Sequence, residues 1–387
     1  MQQSSYVLLP LLALGLNASG CGDEFPPGSC EASVAPTCDI QEAECVEQYS
    51  DHVACIRGVE AEPPMVAVLS EAEVAMRLER EPSVIDPCLR LARLEALDPP
   101  PEDDDPPQVS AYYDFDEKTV FAVLPEDSRS ILRSVALAQI DAERDIIDDV
   151  TSVGTFDGQL ARRSRLLGEA IFFGDAAWWK IEPMERDDLR DYIEGNVYYG
   201  DELAAVLRIG RYSNLGLDVL VAAFDFYGAH YVRERWLADE LVPATDDLRS
   251  SEIIGGEAQA QAGGEWAAEP SVEGYAVRWA DSLGAFSAHV HFTRMKPPKP
   301  EENIVMDGER LSTLVELFGG DRATCLYNPE QESAALVWEI MIEDPSALPY
   351  TLTPEGIFSA KHVVLADRIV IAAAEDVTVL DALLADL

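Results

Sequence analysis

Basic residues are scarce in this sequence: 28 Lys and Arg stand against 72 Asp and Glu in 387 residues, a formal net charge of −44. Phosphate binding needs a basic footprint, so nucleic acid is not the expected partner. Histidine is scarcer still, at five: His52, His230, His289, His291 and His362. "AHVHF" reads as a strand with His289 and His291 on one face, a geometry that permits joint ligation but supplies no third ligand. Missing too are a G-x-S-x-G elbow, a P-loop, and a G-x-G-x-x-G that follows a strand. After the N-terminus no apolar stretch approaches 18 residues, so the mature chain is not expected to span a membrane.

The N-terminus itself carries an address. "YVLLPLLALGL", Tyr6 to Leu16, has the length of a signal-peptide apolar region, and Ala18-Ser19-Gly20-Cys21 resembles a bacterial lipobox. Residues 1–20 are therefore expected to be removed, leaving a lipid on Cys21 that anchors the protein to a membrane at the cell envelope or outer surface. Six further cysteines, Cys30, Cys38, Cys45, Cys55, Cys88 and Cys325, are an even number suited to disulfides in an oxidising compartment. The first four lack the paired C-x2-4-C spacing of structural zinc sites. Their pairing is open, since six cysteines allow 15 connectivities.

Along the chain, residues 21–58 read as a lipidated tether and a Cys-rich cap. Leu69–Arg80 and Cys88–Leu97 read as short helices, and "DPPPEDDDPPQ" as an acidic, proline-rich linker that cannot continue a helix. "AYYD" and "TVFAVL" flank "DFDEK" as a hairpin. It feeds a helix from about Ser128 to Val150, preceded by Glu126 and Asp127, and a second follows from Gly158 to Lys180. Residues 186–240 are largely helical in pattern, "VPATDDLRSSEIIGGE" is a loop, and "RATCLYN", "SAALVWEIMI", "KHVVL" and "RIVIAAA" are strands. The expected class is α+β: a mainly helical domain over 59–345 with an N-terminal hairpin and later antiparallel strands, then a strand-rich extension, 346–387.

The first helix places Gln139 and Glu143 one turn apart on its apolar side, and Glu169 falls on the apolar row of the second. Buried polar groups need partners. Gln139 and Glu143 have the spacing of two metal ligands on one helix, yet neither is a histidine.

The order of segments resembles a family of exported zincin-like proteins, metallopeptidases related in plan to the gluzincins. Their pattern is a hairpin, a helix with A-L-x-H-E-x-x-H-A-L-Q-D, a second helix with E-G-E-A, an S-x-E-Q-I-L-H-P loop and a late G-W-G-G-D-R segment. "AYYDFDEKTVFAV", "ALAQIDAERDIIDD", "RLLGEAIFFGD", "LRSSEIIGGE" and "LFGGDRATCLY" follow it in order. The resemblance implies a zincin-like fold and puts the two histidine positions at Gln139 and Glu143, the general-base position at Ile140 and the third-ligand position at Glu169. Only Glu169 keeps the family's residue type. Ile140 cannot accept a proton, and the loss of a positioned base costs about 10²–10⁴-fold in rate. Zinc is not expected; oxygen donors would suit calcium or another hard cation better.

The expectation is a non-catalytic extracytoplasmic lipoprotein, a pseudoenzyme with a binding or scaffold role toward a protein or peptide partner, with no catalytic residue and no cofactor. The alternative is a hydrolase that uses Glu143 and Glu169, with or without Asp141, as paired carboxylates, or an unusual metal, in the same cleft. Against it, one carboxylate would stay protonated or pair with an arginine such as Arg144, Arg162 or Arg163.

Overall fold

A computed structural model describes residues 38–70, 72–73, 87–88, 91, 110–123, 128–178, 219–237, 248–254, 270–294, 308–350 and 360–384. The expected leader, Cys21, Cys30, the proline-rich linker, Glu126, Asp127 and the helical pattern over 186–218 lie outside those residues. The fold is α+β, with a helical layer, a small mixed sheet and a larger antiparallel sheet.

The chain enters through α1 (Ala43–Arg57), which ends on Gly58 in the left-handed conformation. Next, β1 (Met65–Leu69) pairs in parallel with β3 (Thr119–Val123), whose other neighbour is the antiparallel β2 (Ala111–Asp114). The hairpin turn is held by Asp114, whose Oδ1 accepts from the backbone N–H groups of Asp116 and Glu117 at 2.9 and 3.0 Å. The helix expected from Leu69 to Arg80 begins later, since Leu69 closes β1; of residues 71–80 only 72 and 73 are described, and both are helical.

Three helices form the centre of the helical layer: α2 (Ser128–Arg144), α4 (Phe156–Trp178) and α5 (Val219–Leu237). The first helix was expected to run on to Val150. It breaks instead at Asp145, at φ 51°, and restarts as α3 (Ile146–Thr151), whose first N–H is accepted by Asp141 Oδ1 at 2.9 Å. Arg129 and Arg133 of α2 both fork onto Asp175 of α4, with N···O distances of 2.7–2.9 Å. On the other side of α4 the backbones nearly touch. A Cβ on Gly228 would lie 1.9 Å from the Ser164 carbonyl oxygen and one on Gly168 2.2 Å from the Gly228 carbonyl carbon, so only glycine permits this α4–α5 crossing.

A one-turn helix, α6 (Ser250–Ile253), lies within the segment expected as a loop. The larger sheet has the order β4 (Ala276–Asp281), β5 (Phe318–Asn328), β6 (Ser333–Ile342), β8 (Arg368–Ala374), β7 (Ala360–Val364), antiparallel throughout. β8 pairs along β6, so the sheet continues past residue 345. α7 (Gly284–Arg294) and α8 (Gly308–Leu317) precede β5, and α9 (Leu380–Leu384) follows β8. α7 overturns the strand expected at "AHVHF". Residues 283–292 are all buried, so their alternation marks no solvent face and is a misleading cue. Two apart on a helix, His289 and His291 point to different sides.

One core cluster joins α1, α2, α4, α5, α7 and α8 to β5, β6 and β8. Cys38 is bonded to Cys45, and Cys88 to Cys325 across 237 residues of sequence; Cys55 is also disulfide-bonded. Among the described residues no helix is long and apolar enough to cross a membrane.

Candidate functional site

The polar strip on α2 faces α1. Buried Cys45, Tyr49, Val53 and Ile56 seat α1 in the core, and three polar contacts fix its register. Tyr49 Oη donates to Ser128 Oγ at 3.1 Å, Gln139 Nε2 donates to the Ser50 carbonyl at 2.9 Å and to its Oγ at 3.1 Å, and His52 Nε2 donates to the Ala177 carbonyl at 2.6 Å. These contacts aim the last residue of α1, Arg57, between α2 and α4.

The Arg57 guanidinium, its side chain 2% exposed, lies where the three ligand positions converge. Nη1 donates to Gln139 Oε1 at 3.2 Å and sits 2.9 Å from Glu143 Oε1. Nη2 donates to Glu143 Oε2 at 3.0 Å and lies 3.5 Å from Glu169 Oε1. Arg165, one turn before Glu169 on α4, donates to Glu169 Oε2. Two guanidiniums thus face two carboxylates, and the formal charge closes to zero without a further cation. Both ends of the Gln139 amide are engaged by protein groups.

This arrangement does not fit zinc. The ligand positions hold one amide and two carboxylates, the general-base position is Ile140, buried in the apolar core, and a protein cation sits among the oxygens. Nor does it offer a hard cation an open oxygen cage, since each of the three donors already faces Arg57. The arginines named from sequence are engaged elsewhere or do not reach the site: Arg162 pairs with Asp149 at 3.3 Å and Arg163 with Asp225 at 2.7 Å. Asp141 belongs to another network. Its Oδ2 accepts from Tyr113 Oη and Lys118 Nζ, both at 2.6 Å, and its Oδ1 from the Ile146 N–H, which ties the hairpin to the α2–α3 break. It therefore cannot partner Glu143 and Glu169 as a third carboxylate. No group of three or more His, Cys, Asp or Glu that could hold a metal occurs among the described residues.

A second polar cluster was not singled out by residue from sequence. Where α4, α6 and α7 begin beside β4 and β5, three aspartates converge. Asp321 accepts from Ser282 Oγ at 2.6 Å, the Leu283 N–H at 2.7 Å, the Gly284 N–H and Trp338 Nε1 at 2.7 Å. Asp281 accepts the Phe156 N–H at 3.2 Å, and Asp157 accepts from Ser250 Oγ and the Ser250 N–H. Gly284, at φ +82°, is required here twice over: a Cβ would lie 1.7 Å from Asp157 Oδ1. Burial pushes the Asp157 carboxyl up to about 7, with the nearby Asp321 adding to the rise and Ser250 opposing it. Burial raises Asp321 and Asp281 in the same direction. Three helix starts are stitched together by these groups, which is a structural task. The signal was present in "LRSSEI" and "FGGDRA", segments matched only as landmarks.

The histidines are dispersed. His289 Nδ1 contacts Tyr350 Oη at 2.6 Å, while His291 Nε2 faces His362 Nε2 of β7 at 3.3 Å. Burial lowers the His362 imidazole to about 4, so it is neutral near pH 7.

No family model matches the chain, and no curated protein and no solved structure shows a significant match to it.

Proposed function

We propose that the protein is a non-catalytic, exported lipoprotein, anchored through Cys21, that retains a zincin-like plan and has replaced the metal by its own arginine. The observation that carries this reading is the Arg57 guanidinium among Gln139, Glu143 and Glu169, the three positions the resemblance assigns to zinc ligands. An internal cation supplies the charge that keeps inward carboxylates tolerable, yet it holds no water to activate and polarises no substrate carbonyl as a Lewis acid would. The base is absent at Ile140. What remains is a rigid scaffold, with disulfides suited to an oxidising compartment, and a role in binding a protein or peptide outside the cytoplasm.

Hydrolysis of quenched peptide libraries by the mature domain, with zinc or calcium added, tests this. The expected result is no turnover above buffer, unchanged in a Gln139→Ala, Glu143→Ala, Glu169→Ala variant. Turnover that the triple variant abolishes would return the protein to the hydrolases.

A further inference from the structure

We propose that β1 is a docking edge: an extended, cationic peptide segment of a partner adds to it as a further strand of the small sheet and lays alternate apolar side chains in the groove between β1 and α1. Such a partner belongs to the binding role proposed above, on which the assignment rests. None of the residues around Arg57 takes part.

β1 pairs with β3 along all five of its residues without a bulge, and no described strand lies on its other side. Alternate N–H and C=O groups along that side therefore point away from the sheet. Proteins guard such edges with charges, prolines or bulges. The other edges here are guarded: β2 is buried throughout, β4 carries a bulge between Val277 and Trp279, and β7 carries Lys361, paired with Asp381. β1, "MVAVL", has neither charge nor proline within it, and Met65 at its start is 62% exposed.

Beside the edge lies a groove of about 530 Å³, with Ile40 and Val46 on one side and Pro63, Pro64, Val66 and Val68 on the other. Val66 and Val68 are two apart on the strand and share a face, and an added strand sets every second side chain on that same face. The Cys38–Cys45 disulfide and Asp39, whose Oδ1 accepts the Gln41 N–H at 3.0 Å, hold the Ile40 side in place before anything binds. Charge selects the occupant. Glu47 lines the groove, and Glu42, Glu44 and Glu62 are exposed in the segments that form it. Within residues 38–70 the one Lys or Arg is Arg57, already engaged between α2 and α4. A second copy of a chain of net charge −44 would bring the same acidic rim to the edge, whereas lysines or arginines on a peptide complement it.

Fluorescence anisotropy of a labelled, capped peptide of about six residues, valine and lysine in alternation, titrated with the untagged mature protein, tests the site. The expected result is saturable binding, weakened at least about tenfold when every amide of the peptide is N-methylated, which removes its backbone donors and keeps its charge. The Glu47→Lys, Glu62→Lys variant should also bind the unmodified peptide at least about tenfold more weakly. Both residues are exposed, so this variant should fold; circular dichroism checks it. Equal binding of the N-methylated peptide, which would be diffuse attraction to an acidic surface, or equal binding by the double variant would overturn the proposal. So would sedimentation as a dimer that Met65→Lys dissociates, since the edge would then belong to a second copy. Mass spectrometry of the peptide after titration reads cleavage separately: a bound, cleaved peptide keeps the docking edge and ends the non-catalytic reading. Absence of binding ends the docking proposal alone.

Discussion

Arg57→Ala is expected to lower unfolding stability by about 3 kcal/mol, at the low end of the cost of breaking a buried ion pair. The low end applies because Glu169 keeps Arg165, and Glu143, 36% exposed, turns to water. The loss comes from three sources. Glu169 forfeits a cation in a buried site, Gln139 Oε1 loses its donor, and the end of α1 loses its cross-links to Glu143 and Glu169. Arg57→Lys should recover only part of this, since an ammonium restores the charge but not the fork that spans Gln139 and Glu143. Urea unfolding with the disulfides intact measures the difference as a shift in midpoint at constant slope. A change below about 0.5 kcal/mol for Arg57→Ala would place the guanidinium in water and remove it as the group that fills the site.

Asp157→Asn should change the pH dependence of stability more than any other single substitution in the second cluster. The folded-state pKa of Asp157, about 7, is above its unfolded value of 3.8, so the native state binds the proton more tightly. Its contribution is full below pH 3.8 and is lost as pH rises through 7. An asparagine does not titrate. The stability of the variant relative to wild type should therefore climb between pH 4 and 7 by on the order of 4 kcal/mol, and level off above that range. The rise survives whatever fixed cost the new amide introduces, because that cost does not vary with pH. Parallel profiles for the two proteins across this range would mean that Asp157 is ionised in the native state, and the packing account of the cluster would fail.

Local pattern carried much of the architecture into view. The hairpin, the α2 and α4 helices and the strands β5, β6, β7 and β8 follow from turn residues, apolar rows and β-rich runs, because each is decided by neighbours in sequence. Gln139, Glu143 and Glu169 stood out for the same reason: each interrupts an apolar row. Their partner did not. Arg57 is 82 residues from Gln139, and it closes "ECVEQYSDHVACIRG", a segment whose cysteines drew attention to staples rather than to a helix with one buried face. Nothing local distinguishes it from Arg144, which lies nearest in sequence.

"AHVHF" is a short apolar segment that is helical, and it has no solvent-facing side on which period 2 and period 3.6 diverge cleanly. The break at Asp145 was hidden for another reason. It depends on Asp141 turning from a helix face to cap α3, in competition with continuing the helix.

Diffraction from crystals of the mature domain grown with zinc, recorded at the zinc absorption edge, tests the central claim most directly. Guanidinium density from Arg57 between Gln139, Glu143 and Glu169, with no anomalous peak within bonding distance of Glu169, is the predicted result. A peak at about 2.0–2.2 Å from a Glu169 oxygen, with Arg57 displaced, would contradict it and restore a metal to the site.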